Sequence, residues 1–260
     1  MATTSTTTAT EQPRAASFGK QLLSQTSIEL AMTLRQGERV LVTLLIPILL
    51  LVFFSALNII PVSPRESAVD FLLPGVLALA IMAAGMVSLG IATAYERRYG
   101  VLKRLGSSPL PRGGLILAKV ISVLVLELIQ IIILVAVAMI FYGWRPAGEL
   151  PLAVLGVALG TVTFAALGLA MAGALRAEAT LAGANALYLI FVLIGGGILP
   201  LDHLPAPLAA LSQLLPPAAL TQILQKTLIA DQPFPGGAFL TLLIWAIIIL
   251  AVAIKTFKWE

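Results

Sequence analysis

Long apolar runs separated by short polar stretches set the expected architecture. Six runs reach the length a helix needs to cross a bilayer core, about 20 residues. They are 40–60, 71–94, 115–142, 150–175, 181–199 and 238–254. Ahead of them, in residues 17–39, Phe18, Leu22, Leu23, Ile28, Leu30, Met32 and Leu34 alternate with Lys20, Gln25, Glu29 and Arg35. That pattern predicts an amphipathic helix lying in the membrane interface. Residues 1–16 are Thr-rich without an apolar period and predict a disordered tail. The segment 200–237 is apolar but holds Pro200, Pro205, Pro207, Pro216, Pro217, Pro233 and Pro235, too many for one continuous helix. It predicts two short helices, 208–215 and 220–230, split by Pro216-Pro217, dipping into the membrane from one side and returning. The expected fold is an all-α polytopic membrane protein: one six-span domain over 40–254, an outer re-entrant hairpin over 200–237, and a short tail at 255–260.

Composition agrees with the pattern. Of the 260 residues, 59% are apolar and 11% charged, against about 45–50% and about 25% in soluble domains. One globular core does not hide that excess, so a soluble enzyme is excluded. With no cysteine, a disulfide framework, a thiolate metal site and a cysteine nucleophile are excluded as well. The net charge of +4 is spread over water-facing segments, which argues for lipid headgroups over nucleic acid. If the amino terminus is cytoplasmic, all of the 16 Lys and Arg residues except Arg65, Arg145 and Lys226 lie inside. This bias predicts both termini inside and the 200–237 hairpin outside.

No catalytic constellation is visible. The lone histidine, His203, stands beside Asp202 in the outer loop, where a solvated residue is the ordinary reading. Metalloprotease, serine-hydrolase and phosphate-cradling motifs are absent. Glu127 lies near the middle of the third run, where an ionised carboxylate is costly unless paired, hydrated or protonated. Gln130 shares its helix face. Two readings stay open for this pair: a polar spot on a substrate path, or a hydrogen bond that holds helices together. Gly156-x-x-x-Gly160 in the fourth run indicates close helix packing.

The polar segment after the second run carries the most information. In 95–112 the order Glu96-Arg97-Arg98-Tyr99-Gly100-Val101-Leu102-Lys103-Arg104-Leu105-Gly106-Ser107-Ser108-Pro109-Leu110-Pro111 predicts a short basic helix parallel to the membrane. Its apolar stripe, Val101, Leu102 and Leu105, fits a partner's groove. By pattern alone, the basic residues serve equally well as topology signals. This order resembles the E-R-E-x-G-T-L-K-R-L-x-x-[ST]-P-L motif of type-2 ATP-binding-cassette (ABC) transporter permeases. Arg35-Gln36-Gly37-Glu38-Arg39 followed by Pro47 is similar to that family's R-D-P lead-in and first-span proline. Gly197 to Pro205, then Pro217 and Lys226, is similar to its G-x-x-x-P-x-x-x-L-P stretch. Two departures stand out: Gln36-Gly37 replaces Asp-Pro, and Gly113-Gly114 replaces a bulky aromatic, which implies a more flexible join into the third span.

The resemblance implies the membrane subunit of an exporter that moves a hydrophobic or amphiphilic substrate, such as a drug, lipid or glycan precursor, across a prokaryotic plasma membrane. It implies a coupling helix at 95–112, with Glu96, Arg97, Arg98, Gly100, Leu102, Lys103, Arg104, Leu105 and Pro109 as the coupling residues. Expected partners are an ATPase subunit, a second copy or a similar permease, and membrane lipids, with no nucleic acid. ATP and magnesium would bind the ATPase subunit; the chain itself is expected to bind no cofactor or metal and to have no catalytic residue. The rival class is an ion-coupled secondary transporter, which usually shows internal repeats and paired broken helices; no repeat is seen.

Overall fold

The computed structural model describes residues 16–35, 37–57, 67–105, 110–230 and 232–256, and every element in them is helical. The predicted tails, apart from Ala16, Lys255 and Thr256, lie outside the described residues. Helix α1 (Phe18–Arg35) leads into α2 (Gly37–Leu57). Then come α3 (Ala68–Met82), a π-helical segment (Ala83–Ser88), α4 (Leu89–Arg98), α5 (Val101–Leu105), α6 (Arg112–Tyr142), α7 (Leu150–Ala174), α8 (Ala177–Ile194), α9 (Ala206–Gln213), α10 (Pro216–Leu228) and α11 (Gly236–Thr256).

Five helices among the described residues are long and apolar enough to cross a membrane: Ala68–Arg98, Gly113–Tyr142, Leu150–Ala174, Ala177–Ile194 and Gly236–Thr256. The first predicted run contributes a shorter apolar stretch, Thr43–Leu57. Apolar runs and helices do not end together. The fifth run continues to 199, yet α8 stops at Ile194, where Gly195 begins a loop and Gly196 takes φ +72. The loop stays apolar because it is buried against α3. A Cβ on Gly75 would lie 1.9 Å from the Gly197 carbonyl oxygen, so the two backbones touch. The prolines at 216 and 217 also act differently from expectation. They occupy the first turn of α10, where a missing N–H costs nothing, and the chain breaks earlier, at Leu214 and Leu215.

Helix α7 is the hub, in contact with α3, the π-helical segment, α4, α6, α8, α10 and α11. Glycines permit the approach. A Cβ on Gly156 would meet Ile223, one on Gly160 would meet Leu220, and one on Gly168 would lie 2.7 Å from the carbonyl oxygens of Gly85 and Met86. The small-residue pattern in α7 therefore seats α10, whose Leu220, Ile223 and Leu224 are fully buried. The π-helical turn faces the same hub: Leu89 N–H reaches the carbonyl of Ala84, five residues back.

Helix α1 is amphipathic with its polar side inward. Thr26 and Glu29 are buried, and Phe18, Leu23, Ile28, Met32 and Leu34 are exposed. In water that arrangement would be backwards. The polar face is the one that packs on α6, and the exposed apolar side is of the kind that a membrane interface would cover.

Candidate functional site

The motif residues sit where α4 ends and turns into α5. Tyr99 caps α4, and Gly100 takes φ +69, a left-handed turn that a side chain disfavours. Each residue of the Glu-Arg-Arg triplet has a separate anchor. Arg97 donates to the carbonyls of Gly173 and Leu175, at the carboxyl end of α7, where unpaired carbonyls and the helix dipole favour a cation. Arg98 pairs with Glu178 in the first turn of α8 and lies over the Tyr99 ring. Both members of that pair are exposed, so it adds little stability.

Glu96 belongs to a buried cluster. Lys119 Nζ lies 2.9 Å and 2.7 Å from the two Glu96 oxygens, and 2.9 Å from each oxygen of Glu29 on α1. Lys119 is 4% exposed. Gln25 Nε2 donates to Glu29 at 3.0 Å, one turn back. One ammonium thus ties α1, α4 and α6 together, with two carboxylates sharing it. Sequence reasoning counted Lys119 only toward topology and placed Glu29 on the solvated side of α1. Residues 90 and 23 positions from Lys119 leave no periodic trace. The available signal was a lone lysine one turn inside an apolar run.

In α5, Leu102 is 2% exposed, so within this chain it anchors the short helix instead of lying open for a partner's groove. Leu105 and Val101 are half-buried, and Lys103 and Arg104 are exposed. Arg104 also reaches the Tyr99 carbonyl, at 3.4 Å. Pro109 lies outside the described residues. The expected looseness at Gly113-Gly114 is not what Gly114 provides. A Cβ there would come within 2.7 Å of Leu110 and 3.2 Å of Phe18, so Gly114 makes room for Leu110 and the start of α1.

Glu127 and Gln130 are both buried on α6 but do not bond each other. Glu127, 1% exposed, accepts from the Thr161 hydroxyl on α7, and its other oxygen has no partner. Gln130 Nε2 donates to the Thr43 carbonyl on α2 at 2.9 Å. The pair thus joins α6 to two different neighbours. Among the described residues no group of histidine, aspartate and glutamate is arranged to hold a metal ion.

A family model described as ABC-2 type transporter matches residues 20–229. No curated protein matches the chain.

Proposed function

The chain belongs to the ABC-2 type transporter family, a family of transport permeases, and on that premise we propose that it is the membrane subunit of an ABC exporter driven by a separate ATPase subunit. The observation that carries this reading is the α4–α5 turn. It places the motif at the end of a long apolar helix, with Lys103 and Arg104 exposed and Leu102 locking the short helix in place. A partner pressing on α5 would move α4, and the Lys119 cluster would carry α6 and α1 with it. The π-helical segment interrupts this long helix between α3 and α4, where it packs on α7; such turns are frequent at functional sites.

In this reading six spans cross the plasma membrane, α2 completing the six, with both termini in the cytoplasm and α9–α10 entering from outside. Two copies, or this chain and a similar one, enclose the path. ATP and magnesium bind the ATPase subunits, and the substrate is hydrophobic or amphiphilic. The assignment of Glu96, Arg97, Arg98, Gly100, Leu102, Lys103, Arg104, Leu105 and Pro109 to coupling is part of the proposal. For Glu127 and Gln130, the bonds to α7 and α2 favour a bundle-holding role over a place on the path. The test is reconstitution: inside-out vesicles holding this chain with its cognate ATPase should accumulate substrate with ATP and not with an ion gradient. Gradient-driven transport without the ATPase would overturn the reading.

A further inference from the structure

Two spans are covered least by the rest of the chain: in Ala177–Ile194 and in Gly236–Thr256, 22% of the apolar window is buried. Their open faces differ. From Leu240 to Ile254 every exposed side chain of α11 is aliphatic, and all but Ala251 are large, as contact with lipid tails requires. The middle of α8 instead exposes Ala182, Asn185 and Ala186, beside Leu181 and Leu189. We propose that this face of α8 is where a second copy of the chain docks, the Asn185 side chains of the two copies meeting across a two-fold axis.

Asn185 carries the argument. It is exposed at the middle of the span Ala177–Ile194. Its Nδ2 donates to the Leu181 carbonyl of its own helix at 2.7 Å, which leaves the second N–H and the Oδ1 acceptor open. Polar groups left so in hydrocarbon are costly. Among the described residues, the only other polar side chain exposed at mid-span is Ser88, on the span that packs against α8. Arg98 pairs with Glu178. Counted from that level at about 1.5 Å per residue, Ser88 and Asn185 lie about 15 Å and about 10 Å along their helices, at nearly one depth.

Three features select a second copy as the cover. An amide both donates and accepts, so two Asn185 side chains satisfy each other, as an isologous contact requires. Ala182 and Ala186, one turn apart, let a second backbone come close enough for that short side chain to reach. One asparagine in a packed helix seam also fixes register, because a slip leaves both amides unpaired. A wet path would be polar along its length, whereas beyond Asn185 α8 exposes Leu189, Ile190 and Leu193. The inference rests on the membrane placement of α8 and deepens the two-subunit part of the proposed function, choosing two identical copies over this chain with a similar one.

The experiment is oxidative cross-linking of the full chain in membranes, expressed without other subunits; the chain has no cysteine of its own. Ala182→Cys and Ala186→Cys should give a disulfide-linked dimer, and Ile247→Cys, in the middle of α11, should not. In liposomes, energy transfer between labelled copies reports dimerisation as lipid is added. Asn185→Leu should weaken it about three- to twentyfold, the range of one hydrogen bond between membrane helices, and Asn185→Gln should weaken it less. Failure of both alanine positions to cross-link, equal cross-linking by Ile247→Cys, or undiminished dimerisation of Asn185→Leu would each overturn the proposal. So would reaction of the Ala182→Cys and Ala186→Cys proteins with a small water-soluble thiol reagent in place of cross-linking, which marks a wet path. None of these measurements involves the ATPase, so failure of this interface and failure of the exporter reading are separate results.

Discussion

Lys119 Nζ lies 2.9 Å from both carboxylate oxygens of Glu29, so the first helix is held by a charge on α6 ninety residues away. The same ammonium holds Glu96. Taking one member from a buried ionic cluster costs more than the cluster contributes, because the remaining charges stay desolvated. Lys119→Met should therefore destabilise the protein by about 3–5 kcal/mol, read as a fall in its thermal unfolding midpoint. Adding Glu29→Gln and Glu96→Gln to Lys119→Met should recover most of the loss, since no unpaired charge is left. Equal damage in the single and triple variants would show that packing, and not charge, holds α1.

Substitutions along α5 should split by burial. Lys103→Glu with Arg104→Glu should leave folding intact and lower ATP-driven transport, because both side chains are exposed. Leu102→Ala should instead cost about 2–5 kcal/mol of stability through the cavity it leaves. Unfolding curves paired with vesicle transport separate the two effects.

For Glu127, the bond from Thr161 crosses from α7 to α6. Hydrogen bonds between membrane helices average about 0.6 kcal/mol, with a maximum of about 1.7 kcal/mol. Glu127→Gln should therefore fold, assemble and transport like the parent, whereas Thr161→Val leaves the buried Glu127 carboxyl without a partner and should cost about 1–3 kcal/mol. A well-assembled Glu127→Gln variant without transport would place the carboxylate on the path.

Glycine-to-alanine changes should differ sharply by position. At Gly75 the new methyl would overlap the Gly197 carbonyl at 1.9 Å, so α3 or the loop after α8 must shift. Gly75→Ala should lower the unfolding midpoint markedly. At Gly19 and Gly37 a methyl would find nothing within 4 Å, and alanine there should be neutral or stabilise α1 or α2 by up to about 1 kcal/mol.

Single cysteines are simple to read in a chain that has none. Ser212 is a poor choice for the outer side: it is buried and bonded to the Leu208 carbonyl. Arg145→Cys and Gln213→Cys, both at exposed positions, should react with an impermeant thiol reagent from outside, and Lys103→Cys from inside. Labelling of all three from one face would refute the proposed topology.

The long helices were legible because burial in lipid and burial in protein both demand apolar residues, and α6, α7 and α11 follow the apolar runs closely. Helix ends were less legible for the same reason. The loop 195–199 is as apolar as a span, since Gly197 packs on Gly75. The motif at 96–105 was visible as an ordered string, but the string does not say that Leu102 faces inward. Glu29, Lys119 and Glu96 could not be joined from sequence, because nothing local links a polar helix face, a lone lysine and a motif glutamate. Thr161 was equally silent, one hydroxyl among many in a small-residue helix.

The central place of α7 has a consequence for biosynthesis. Helices α3 and α4 form a span whose apolar window is 83% buried, and much of the surface that buries it belongs to α7, which is made later. About ninety residues separate the end of α3 from the end of α7, which at synthesis rates of about 5–20 residues per second is a delay of roughly 5–20 s. During that interval the span must wait in lipid with Gly85 and Gly90 uncovered, held by its own apolar surface, by α2 and by α6 once that is made. A quality-control protease or insertion chaperone that recognises unpaired small-residue faces would meet this chain in that window, before α7 arrives to close it.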